Sequence, residues 1–128
     1  MAMPNNAYTQ YQNNAVNTAM PQDLTLMLYN GLVRFIKQSI QAIDENDKVK
    51  SRNFNIRAQD ILTEFICTLN MDYEVSKSFE PLYDYMKRRL VEANINKDKA
   101  ILEEVLGFAE ELRDTWAQAM KLAKQQQR

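Results

Sequence analysis

The sequence predicts an all-α fold, an antiparallel up-and-down four-helix bundle with a flexible N-terminal arm. Three observations carry that expectation. Two Gly and three Pro in 128 residues leave too few turns for an all-β chain. Four stretches of about 20 residues each repeat their apolar side chains at intervals of three and four, the period of a helix with a buried face. Short polar links separate these stretches, which makes chain neighbours antiparallel. A chain of this length buries a working core as a single domain. The expected division is residues 1–20 as an arm and residues 21–128 as the bundle.

The arm, "MAMPNNAYTQYQNNAVNTAM", holds five Asn and no charged side chain. Tyr8, Tyr11 and Val16 give it apolar anchors that a purely solvated tail does not need. The first helix is expected from Pro21, tolerated at a first helical position, to about Asp44. Leu24, Leu28, Leu32, Phe35, Ile36 and Ile43 mark its core face. Leu26, Tyr29, Val33 and Ile40 widen that face to roughly 200°, about twice the stripe a surface helix requires. The second helix, about Lys48 to Leu69, carries Phe54, Ala58, Ile61, Leu62, Phe65 and Leu69 on its core side. Val49, Ile56 and Cys67 make a weak second stripe on the far side.

In the third helix, Val75, Phe79, Leu82, Tyr83, Met86, Leu90 and Ala93 share a face. Pro81 there allows either a start near Ser78 or a start near Glu74 with a bend. The fourth helix runs from an Asp98 cap to about Lys124, with Ile101, Val105, Phe108, Leu112, Trp116, Ala119 and Ala123 inward. Gly107 lies inside it without a reason visible in the sequence.

Composition excludes much chemistry. The chain has no His, which removes the commonest general base and metal ligand and every Ser-His or Cys-His pair. No phosphate-cradling glycine motif is present. No catalytic residue, cofactor or metal is therefore expected. The net charge of -1, with acids and bases interspersed, argues against nucleic acid as a partner. Cys67, the single cysteine, needs no oxidising compartment. No run reaches the length of a membrane span, and residues 1–20 lack the basic start and apolar run of a secretory leader. The expectation is a cytoplasmic protein without stable membrane insertion.

What remains is surplus apolar surface, and with it a partner. Tyr29 and Tyr85 read as interface residues that combine area with a polar handle. Met27, on the otherwise polar side of the first helix, fits an adaptable contact. Arg88, within "YDYMKRRL", can pair with a carboxylate, and Asp84 four residues earlier offers it a local one. The expected partner-binding set is Tyr8, Tyr11, Leu26, Met27, Tyr29, Val33, Ile56, Tyr85 and Arg88. Two classes of function compete: a binding module for an amphipathic segment, and a helical structural or adaptor protein that self-associates, a homodimer when unliganded.

Three segments, "AYTQYQNNAVNTAMPQDLTLMLYNG" (7–31), "LYDYMKRRLVEANINKD" (82–98) and "ILEEVLGFAEELRDTW" (101–116), resemble the flagellar secretion chaperone family. The resemblance implies a cytosolic export chaperone that binds the disordered C-terminal segment of flagellin and prevents premature polymerisation. It also implies delivery to the flagellar type III export gate. In the family the arm covers part of the groove until flagellin arrives, so Tyr8 and Tyr11 would be its anchors, and Leu28, Tyr29 and Gly31 would lie in the binding helix. The sequence departs from the family pattern in four places, one of them Asn30, which stands in Leu28-Tyr29-Asn30-Gly31 where the family has Asp. Met20 stands before Pro21 where a small cap residue is usual, no glycine pair occurs around Asp72 and Tyr73, and Pro81 stands where helix formers are usual.

Overall fold

The computed structural model describes residues 22–72, 74 and 76–126. They form four helices: α1, Gln22–Asp44; α2, Lys48–Thr68; α3, Ser76–Asn96; and α4, Lys99–Gln126. Each helix packs against its chain neighbours, and α1 closes the ring against α4, the antiparallel four-helix bundle expected from the pattern. Cross-links fix the directions. The Trp116 indole N–H donates to the Gln22 carbonyl (3.2 Å), while Lys99 pairs with Asp44 (3.0 Å) at the opposite end of the same helix pair.

The α1–α2 and α3–α4 turns use the same device. Asn46 (φ 61°) and Lys97 (φ 53°) take the left-handed conformation just past a helix end. Beyond each, Asp47 N–H donates to the Ala42 carbonyl (2.8 Å) and Asp98 N–H to the Ala93 carbonyl (2.9 Å), the six-to-one bond of a Schellman end. Both aspartates then cap the next helix. Asp47 Oδ1 accepts from Lys50 N–H (3.0 Å) and Asp98 Oδ1 from Ile101 N–H (3.3 Å).

Helix α3 starts at Ser76, between the two expected starts, with Pro81 inside it. Proline lacks the N–H that would reach the Lys77 carbonyl one turn back, and both residues are exposed, so water can serve the freed carbonyl. Val75, expected on the core face, lies outside the described residues.

An aromatic cluster fills the core near the start of α1. The Tyr29 and Phe65 rings lie 4.6 Å apart between centroids, Phe65 and Tyr83 5.3 Å, and Tyr29 and Trp116 6.3 Å. The Tyr29 and Tyr83 hydroxyls share a buried hydrogen bond of 2.6 Å across the bundle. The other end is polar inside. Ser39 Oγ donates to the Ser51 carbonyl (2.9 Å), and Asn55 Nδ2 donates to the Leu90 carbonyl (3.0 Å) while its Oδ1 accepts from Gln59. These buried polar side chains are satisfied, as an interior requires.

Candidate partner-binding surface

The wide apolar arc of α1 divides differently from the expectation. Tyr29 and Val33, expected on the partner side, are 2% and 3% exposed and belong to the core with Leu32 and Ile36. Leu24, Leu28 and Phe35, expected at its centre, form its edge instead, with Leu24 at 36% exposure. The reason is packing. Helix α1 is gripped by α2 on one flank and α4 on the other, so its buried centre falls midway, at Tyr29, Leu32 and Ile36. The Tyr29–Tyr83 hydroxyl bond holds that rotation.

The remaining expected residues fall on separate faces. Met27 is 60% exposed. Leu26 is half-buried against the core on the flank shared with Lys37, whose ammonium pairs with Glu110 of α4 (3.7 Å). Ile56 is half-buried on α2. Tyr85 turns toward α4, its ring edge-on to Phe108 at 6.1 Å and its hydroxyl donating to Glu104 (2.8 Å). Arg88 is exposed and makes the local pair with Asp84 (2.9 Å) that the spacing suggests. It also sits 5.7 Å from the Tyr85 ring centroid. Tyr8 and Tyr11 lie outside the described residues.

The α3–α4 seam is closed by charge. Arg89, which the sequence leaves on the solvated side of α3, reaches Glu104 (2.9 Å) and Glu92 (2.7 Å). The Arg89 hydrogen bond, followed by that from Tyr85, holds the Glu104 carboxyl below the usual carboxylate range. The same Glu104 bond raises the Tyr85 hydroxyl. These residues staple the two helices to each other.

Two other edges are open. Between α2 and α3, Ile66, Glu80, Pro81 and Asp84 line a cleft of about 400 Å³. Along α1 and α2, Leu24, Met27 and Leu28 lead to Gly31, where an added Cβ would stand 3.3 Å from Ile61 Cδ1. The helices approach closely there, and the edge is shallow. Beyond Gly31 the Phe35 ring stacks on Phe54 at 6.2 Å. The Arg34 and Arg57 guanidiniums lie 5.1 Å and 5.6 Å from its centroid. This pair is not legible in the sequence, because its members lie 23 positions apart on different helices.

Among the described residues, no group of acidic side chains and Cys67 is arranged to hold a metal ion. No described helix is long and apolar enough to cross a membrane.

Comparison with known proteins identifies the family. Residues 4–123 match the family described as flagellar protein FliS. The flagellar secretion chaperone FliS of Bacillus subtilis is 52% identical over 117 residues, covering 91% of this chain and 87% of the relative. Its counterpart in Campylobacter jejuni is 32% identical over 117 residues, covering 89% and 91% of the two chains. That of Salmonella typhimurium is 29% identical over 117 residues, covering 88% and 86%. A four-helix bundle with a closed core, two open edges and a family match over nearly its whole length belongs to the FliS family of flagellar secretion chaperones.

Proposed function

We propose that this chain binds the disordered C-terminal segment of flagellin in the cytoplasm, keeps it from polymerising before secretion, and delivers it to the flagellar type III export gate. Family membership supports the chaperone role, and a chaperone acts by binding rather than by covalent chemistry. The observation that carries the client-binding reading is apolar side chain left at the surface of a bundle whose core is already closed. Leu24, Met27 and Leu28 line one edge, and Ile66 and Pro81 another. An amphipathic segment folding into such edges would bury about 1,000–3,000 Å² and give up about 2–5 kcal/mol in ordering, which keeps the complex reversible at the gate.

Within this reading the bundle spans residues 21–128, and residues 1–20 form an arm over part of the binding surface, anchored by Tyr8 and Tyr11. Met27, Leu26, Ile56, Tyr85 and Arg88 are proposed contacts in the described conformation. Tyr29 and Val33 act from beneath, by shaping the floor. If the arm competes with the client, Tyr8→Ala raises the affinity for flagellin; a loss of affinity places the arm in the binding surface instead.

The test is seeded polymerisation of full-length monomeric flagellin with and without an equimolar amount of this chain. Suppressed filament growth is the expected result. Growth at the same rate, with this chain sedimenting as a stable dimer, would overturn the proposal in favour of a self-associating structural or adaptor protein.

A further inference from the structure

The α1–α2 edge presents paired positive charge as well as apolar surface. Arg34 and Arg57 both lie against the Phe35 ring, and both are exposed. Neither takes part in an ion pair among the described residues, although Asp60 and Glu64 stand on the same helix as Arg57. Two like charges at one ring repel each other, and a carboxylate between or beside them relieves that cost. Toward the start of α1 the flank turns apolar, through Gly31 to Leu28, Met27 and Leu24.

Charge decides between occupants. Residues 1–21 hold no Asp or Glu, so that part of the chain cannot supply carboxylates to the arginines. The acidic outer side of α4, with Glu103, Glu111 and Asp114 exposed, offers a second copy the right charge. It carries Gly107 and Gln118 where leucine-type side chains would be needed to cover Leu24 and Met27. The α3 strip with Val91 and Ile95 exposed has the apolar feature, but its acids Glu92 and Asp84 are already paired with Arg89 and Arg88. A segment that has both features free on one strip fits the edge.

We infer that the α1–α2 edge docks an acidic amphipathic segment of another protein, with Arg34 and Arg57 taking its carboxylates while Leu24, Met27 and Leu28 take its leucine-type side chains. This rests on the reading of the chain as a binding module and adds the chemistry that one edge selects.

The probe is a designed amphipathic helical peptide with leucines at helical spacing and glutamates flanking them, compared with the same peptide carrying glutamines. Dissociation constants for the full chain are read by fluorescence anisotropy at low salt, and the site by methyl NMR shifts. The glutamate peptide is expected to bind about tenfold more tightly than the glutamine one. The Arg34→Gln/Arg57→Gln double variant should erase that difference, the Arg34→Lys/Arg57→Lys variant should keep part of it, and the Leu24, Leu28 and Ile61 methyls should shift. Equal affinity for the two peptides, or a difference that survives Arg34→Gln/Arg57→Gln, would overturn the inference. So would no binding of either peptide, methyl shifts confined to other faces, or a dimer of this chain dispersed by the double variant. Flagellin polymerising unchecked while the glutamate peptide still binds through the arginines would remove the flagellin proposal alone. Suppressed polymerisation with no glutamate preference would remove this inference alone.

Discussion

At Gly107 an added Cβ would meet no atom within 4 Å, so nothing in the bundle requires a glycine in the middle of α4. Gly107→Ala is expected to stabilise the chain by about 1 kcal/mol, read as a higher urea midpoint with an unchanged slope. Lys97 is a residue at odds with its position. It holds φ 53°, a conformation that disfavours any side chain, and burial followed by the nearby Arg52 and Lys48 charges pushes its ammonium pKa down. Lys97→Gly should also stabilise by about 1 kcal/mol, because glycine adopts that conformation without steric cost. A lowered midpoint would mean that the Lys97 bonds to the Asn94 carbonyl and Oδ1 outweigh the strain. Neither position was legible as strained or open in the sequence, since both properties depend on backbone angle and on neighbours from other helices.

At the scale of the helix, the α3–α4 seam makes a pH-dependent prediction. Glu104 is bound by Arg89 and Tyr85, and its carboxyl titrates below the ordinary range. A depressed acid contributes stability that is present above the ordinary carboxylate pKa and is lost as the pH falls through the lowered one. Thermal unfolding from about pH 6 to about pH 3 should therefore show the advantage over Glu104→Gln shrinking on the acid side. An advantage constant across that range would mean the pair acts through packing rather than charge. Helix boundaries were readable because their signals are local. The 3.6-residue pattern gave α2 and α4 to within two residues, and Asp98 announced the α4 cap. The matching cap at Asp47 carries the same local signal, "NDK" beside "KDK". The rotation of α1 was not readable. A 200° apolar arc is compatible with several core centres, and only packing between α2 and α4, with the Tyr29–Tyr83 bond, selects one.

For the molecule as a whole, the bundle spends its best apolar side chains on its own core. Part of what reaches the surface gathers at edges, at Leu24, Met27 and Leu28 and at Ile66 and Pro81, while Val49, Met71, Val91 and Ile95 stand exposed elsewhere. That surplus existed in the sequence as a quantity, but its placement did not. Tyr29 and Val33 turned inward, and the stacked Arg34–Phe35–Arg57 group arose from two helices meeting. The most direct measurement is titration calorimetry of the full chain, at several temperatures, against a synthetic peptide of the host flagellin's C-terminal segment, with a scrambled peptide as control. One-to-one binding with a large negative heat-capacity change, absent for the scrambled sequence, is the predicted result, because a segment that folds onto apolar edges removes that surface from water. Equal heats for both peptides, or no binding by either, would contradict the account.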